Sequence, residues 1–148
     1  MTATLFVDTN VLLYARDSSE RRKQPLAQEW LELLWQRRCA RLSYQVLNEY
    51  YVAATRKLAP GLDHDTARAD VRDLLAWRPV SVDAELLEDA WRLEDRYGLH
   101  PWDAQIVAAA RVAGCRYLLT EDLQAGQGLA GVMVVDPFVT RPEELPPS

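Results

Sequence analysis

Soft metal ligands are scarce in this chain. Of its 148 residues two are cysteine and two are histidine. Cys39 and Cys115 stand in no paired spacing, and neither His64 nor His100 lies near a cysteine, which argues against a zinc centre. Lysine is equally scarce: Lys23 and Lys57 stand against fifteen arginines. No apolar run approaches the roughly 18 residues that a membrane span requires. The start, "MTATLFVD", has no basic stretch ahead of its apolar residues, so a secretory leader is not expected. Two isolated thiols without an export signal predict reduced, packed cysteines and a cytoplasmic protein.

The chain is long enough for one domain with a sizeable core. Its net charge of −5 argues weakly against nonspecific nucleic-acid binding. That charge is unevenly spread: residues 1–58 sum to +3 and the remainder to −8. The basic part holds Arg21, Arg22 and Lys23 together, and a second group of Arg37, Arg38 and Arg41. Such patches either track phosphates or are solvated helix ends.

Uniformly apolar strands alternate with amphipathic helices. "TLFVD" (4–8), "ARLS" (40–43), "RPVSV" (78–82), "RYLLT" (116–120) and "VMVVD" (132–136) read as strands. Helices are expected at 23–38, 45–58, 63–76, 83–97 and 101–113, where apolar residues recur at helical spacing. This alternation predicts an α/β fold, a parallel sheet of about five strands covered on both faces. Pro137 begins a stretch with four prolines that is expected on the surface. The domain is therefore taken as 1–138 and the tail as 139–148.

In sheets of this kind ligands gather beyond the carboxyl ends of the strands, where strand order reverses. "LFVDTNVLLY" ends its strand in Asp8, Thr9 and Asn10, which serve equally as helix caps or as chemistry. Glu49 follows the second strand, and Glu121 and Asp122 follow "RYLLT". Asp103 begins a helix and reaches the same edge only if the preceding helix returns the chain there. Singly, each acid is explained by capping, solvation or the helix dipole. Together, carboxylates without basic partners repel, and a divalent cation resolves the repulsion. Hard oxygen ligands select Mg²⁺ or Mn²⁺ and point to hydrolysis of phosphodiester bonds.

The blocks "LFVDTNVLLYA", "LSYQVLNEYYVA", "YGLHPWDAQIVAAARVAGCRYLLTEDL" and "VMVVDP" resemble, in order, the signature blocks of PIN-domain nucleases. Among these the chain is most similar to VapC-type toxins of bacterial toxin–antitoxin pairs. The resemblance spans residues 4 to about 138. It implies a three-layer α/β/α sandwich and an endoribonuclease dependent on Mg²⁺ or Mn²⁺. By position it makes Asp8, Glu49, Asp103 and Asp122 the acidic set. Asp8 and Asp103 would hold the principal ion, and Glu49 and Asp122 would bind through water or hold a second one. Asn10 and Thr120 fall where polar groups orient those carboxylates, and Ser43 where a polar residue ends the second strand. Arg16, Arg21, Arg22 and Lys23 are candidates for the RNA path. Two departures stand out: His100 replaces a small hydroxyl residue, and the Glu121–Asp122 doublet offers two acids, of which the T-x-D spacing favours Asp122. The resemblance also implies a homodimer and a cognate antitoxin, whose arginine an acidic cleft would attract. Trp30, Trp35, Tyr50, Tyr51, Trp77 and Trp91 belong to the core or, in part, to the dimer surface.

Rival folds fail on single residues. A dehalogenase-type phosphatase needs an acid where Asn10 stands, and a receiver domain needs a lysine after a late strand. The remaining rival is a PIN-like binding or assembly module without catalysis. A dead version would be expected to have lost at least one carboxylate.

Overall fold

The computed structural model describes residues 4–145. Strand β1 (Leu5–Val7) leads into α1 (Thr9–Arg16) and α2 (Lys23–Arg37), then β2 (Ala40–Arg41) and α3 (Tyr44–Arg56). After α4 (His64–Leu74) and a 3₁₀ turn (Leu75–Trp77) come α5 (Ala84–Tyr97) and α6 (Pro101–Val112). The chain closes with β3 (Tyr117–Leu119), β4 (Gly128–Leu129), β5 (Val132–Val135) and a 3₁₀ turn at Pro142–Glu144.

The sheet runs β2-β1-β3-β5-β4, parallel except for β4 against β5. Phe6, Val7, Leu118 and Leu119 are wholly buried. Strands so enclosed must be covered on both faces, which is why they read as continuous apolar runs. Six helices complete an α/β/α sandwich: α1 packs on α2 and α3, α3 on α4, and α5 on α6. From β1 the chain proceeds to β2 on one side and later to β3 on the other. Strand order therefore reverses between β1 and β3, and the carboxyl ends of these two strands bound the crevice.

Two expectations are corrected. Residues 78–82 form no strand of the sheet. Arg78 ends the 3₁₀ turn with a positive φ of 52°, Pro79 has no N–H, and Asp83 caps α5. Only Val80 is left to bond, accepting from Tyr44 N–H and donating to Leu42. The fifth strand is instead β4, joined to β5 by Ala130 and Gly131, both with positive φ (50° and 93°). That is the backbone of a tight type I′ hairpin. Nor does the chain beyond Pro137 simply coat the surface. Phe138 and Pro142 are buried, and the Trp30 indole N–H donates to the carbonyls of Pro137 and Thr140. The last three tail residues lie outside the described ones.

Both cysteines are buried and unpaired. Burial raises both thiols, Cys115 to about 12, so they are packing groups, not nucleophiles. Among the described residues no helix is long and apolar enough to cross a membrane.

Candidate active site

Asp8 is both a cap and a site residue. It holds extended backbone at the start of α1, and its Oδ1 accepts from Thr9 N–H at 2.7 Å. Its Oδ2 accepts from the Thr120 hydroxyl at 2.9 Å, which ties the end of β1 to the end of β3. The Asn10 amide donates to Thr120 Oγ1 (3.0 Å) and Asp122 Oδ2 (3.1 Å), and reaches Asp8 Oδ2 at 3.5 Å. Asp122 N–H in turn donates to Thr120 Oγ1. Asn10 and Thr120 thus fix two carboxylates from neighbouring strand ends.

Glu49 lies on the second turn of α3. Ser43, buried, caps that helix by accepting from Val46 N–H at 3.3 Å, so it sets the helix rather than touching an acid. Two residues that sequence reasoning left out hold Glu49: the Thr9 hydroxyl donates to Oε2 and the Gln45 amide to Oε1, each at 2.9 Å. The signal for Thr9 was its place between Asp8 and Asn10. Asp103 is in the first turn of α6, and α5 does return the chain to this edge. The cap of α6 is His100, whose Nδ1 accepts from Trp102 N–H at 3.2 Å. The histidine itself therefore supplies the cap.

Asp8 and Asp103 each feel the charges of Asp122 and Glu49. Burial drives Asp8 up to about 7 against the lowering bonds from Thr9 N–H and Thr120, and the charges of Asp122 and Glu49 push further. Asp103 is raised by burial, by Asp122 and by Glu49, against a lowering contribution from His100. Every side chain donating a hydrogen bond to Asp8, Glu49 or Asp122 is a neutral hydroxyl or amide. Among the described residues no three of the acids already close around one point as a finished ligand set. The donors are hard oxygens, and the charge is uncompensated. This fits Mg²⁺ or Mn²⁺, whose remaining positions water and phosphate would fill.

The doublet is divided by partners. Glu121 accepts from Tyr14 OH at 2.5 Å and pairs with Lys23 at 2.8 Å, while Asp122 faces Asn10. Lys23 also lies over the rings of Tyr14 and Phe138. Of the other basic candidates, Arg16 makes a bidentate bond to Asp70, Arg22 donates to the Phe138 carbonyl, and Arg21 is exposed.

A cleft of about 500 Å³ adjoins the acids, lined by Thr9, Asn10, Glu49 and Asp122 and, farther along, by Leu13, Asn48, Val52 and Lys57. A second cavity of about 470 Å³ lies elsewhere, between Leu12, Trp35, Tyr50 and Leu74. Its Asp70 is already paired with Arg16. In the first cleft, by contrast, neither Glu49 nor Asp122 forms a salt bridge among the described residues.

The profile described as "PIN domain" matches residues 5–126. No curated protein matches the sequence. Among solved structures, a toxin–antitoxin complex from Klebsiella pneumoniae superposes with a TM-score of 0.65 at 24% identity, covering 91% of this chain and 98% of that one. VapC20 of Mycobacterium tuberculosis, a toxin that cleaves the sarcin–ricin loop, gives 0.60 at 25% identity, covering 78% and 87%. DNA-bound VapBC from Salmonella typhimurium gives 0.64 at 19% identity, covering 91% and 98%.

Proposed function

The chain belongs to the PIN-domain family, and from that premise we propose that it is a divalent-cation-dependent endoribonuclease, the toxin of a toxin–antitoxin pair. The observation that carries this reading is that Asp8, Glu49 and Asp122, held by neutral hydroxyls and amides, lie at the β1–β3 crevice with Asp103, whose carboxyl feels Asp122 and Glu49.

Asp8 and Asp103 would hold the principal Mg²⁺ or Mn²⁺, with Glu49 and Asp122 completing the site directly or through water. The bound cation supplies activation of water and stabilisation of charge on the phosphate. The chain's own residues prepare that chemistry. Thr120 and Asn10 fix Asp8 and Asp122, while Thr9 and Gln45 fix Glu49, so the carboxylate oxygens face the crevice without reorganising. The buried setting of Asp8 would strengthen its attraction for a cation. Water adds to phosphorus as one ester P–O bond breaks, the departing ribose oxygen takes a proton, and no covalent enzyme intermediate forms. Arg21 and Lys57 are the basic groups proposed along the RNA path.

Similarity to toxin–antitoxin complexes supports a cognate antitoxin. The acidic cleft suits an arginine from it, which would neutralise the carboxylates as a cation does. We further propose a homodimer acting in the cytoplasm.

The test is cleavage of a cellular RNA pool by purified protein in Mg²⁺ or Mn²⁺ and in EDTA, alongside Asp8→Asn. Cutting that requires the ion and vanishes in the variant supports the reading. Equal, ion-independent traces in both samples would transfer it to a binding module.

A further inference from the structure

A nuclease must hold a polyanion, yet the cations near this site are largely committed elsewhere. Lys23 is paired with Glu121, Arg16 with Asp70, and Arg22 with a main-chain carbonyl. Lys57 is the one cationic residue among those lining the acidic cleft. Four carboxylates repel phosphates until an ion is bound, so charge alone grips RNA poorly here.

The rim offers an aromatic ring instead. Trp102 directly precedes Asp103 in the first turn of α6 and is 59% exposed, the most exposed of the five tryptophans. Its main chain is anchored on both sides. Its N–H donates to His100 Nδ1, and its carbonyl accepts from Gln45 Nε2 at 3.5 Å. The same Gln45 amide donates to Glu49, so the backbone of Trp102 is one hydrogen-bonded side chain away from a second acid. A large apolar ring left in water, on a backbone fixed beside the acids, matches the sequence-tolerant way aromatic side chains hold unpaired bases.

Building on the nuclease reading, we propose that Trp102 is the platform on which an unpaired base flanking the scissile phosphate stacks. RNA is then gripped by its bases more than by its phosphates. Two consequences distinguish this grip. Binding favours single-stranded or looped RNA over duplex, whose bases are already stacked. Affinity also falls only shallowly with salt, because few phosphates are neutralised.

The test uses Asp8→Asn protein, which lacks one of the four charges and does not cut RNA, and a fluorescently labelled single-stranded oligoadenylate read by anisotropy. Adding Trp102→Ala is expected to weaken binding roughly tenfold to a hundredfold, the range of a lost base–aromatic stack. Trp102→Phe should keep most of the affinity. Trp91→Ala should change nothing: it removes another exposed ring near Asp89, which pairs with Arg111 at the far end of α6. An oligomer with abasic sites should bind the parent as weakly as the intact one binds Trp102→Ala. With otherwise wild-type protein, Trp102→Ala should raise KM for RNA and leave kcat nearly unchanged.

Unchanged RNA affinity in Trp102→Ala overturns the proposal. So does loss of dimerisation in that variant with RNA binding intact, because the ring is then a protein contact. In both cases the nuclease reading stands if the wild type still cuts RNA in Mg²⁺. A wild type that binds oligoadenylate through Trp102 but cuts nothing keeps the platform and removes the nuclease. A protein that neither binds nor cuts RNA loses both.

Discussion

The Thr9 hydroxyl donates to Glu49 Oε2 at 2.9 Å, joining the first turn of α1 to the second turn of α3 across one wall of the cleft. The residue after one acid thereby aims another, forty positions away. Thr9→Val keeps the shape and removes the bond. It is expected to cut activity or cation affinity by about 10- to 100-fold, as losses of carboxylate-orienting groups do. Stability should change by only about 1 kcal/mol. Thr9→Ser, which keeps the hydroxyl, should restore most activity in the same cleavage assay.

Asp8 sets stability against function. Its folded-state value is about 7, against 3.8 for an ordinary aspartate. The fold therefore binds this proton more tightly than the unfolded chain does. That stabilisation is fully present below about 3.8 and is lost as pH rises through about 7, at a total of about 4 kcal/mol at most. Asp8→Asn removes the loss while keeping a helix cap. In EDTA at pH 8 the variant should melt above the parent, and the gap should close near pH 4. Mg²⁺ should raise the parent's Tm and leave the variant's almost unmoved. Calorimetry at the two pH values decides this.

Glu121 and Asp122 should separate cleanly. Asp122→Asn is expected to abolish cleavage. Glu121→Gln should leave kcat within a small factor and lower stability by about 1 kcal/mol or less, because the pair with Lys23 is partly exposed. Equal losses from both substitutions would mean that the doublet shares the work.

Phe138 should matter more than its place near the end of the chain suggests. It is buried, its ring meets Tyr14 edge-on at a centroid distance of 5.0 Å, and Lys23 lies over it. Phe138→Ala should cost about 3 kcal/mol or more by cavity formation. Urea melts measure it, with Val139→Ala, at an exposed neighbour, as the near-neutral control.

What was readable in the sequence was what local chemistry dictates. The apolar runs around Phe6 and Leu118 announced enclosed parallel strands, and helical spacing announced the helices from about 83 and 101. The crevice followed from topology, so Asp8 and Asp122 could be set at one edge before any coordinates. Asp103 was legible only through the family resemblance, because its position depends on where α5 returns the chain. β4 escaped notice because its two-residue turn is Ala130–Gly131, without the asparagine or aspartate that usually marks such a hairpin. The partners of Lys23 and Arg16 were invisible for another reason. Glu121 lies 98 residues from the one and Asp70 lies 54 from the other, and no local pattern encodes pairings at that range.

Asp70 has a further consequence, mechanical in kind. It takes two hydrogen bonds from Arg16 at the end of α1 and one, at 2.5 Å, from Tyr50 OH on α3. A single carboxylate on α4 therefore buckles together the two helices that face each other across the acidic cleft, and it does so from outside. The jaw has a preset width. Three hydrogen bonds to one side chain thereby resist the parting of α1 from α3.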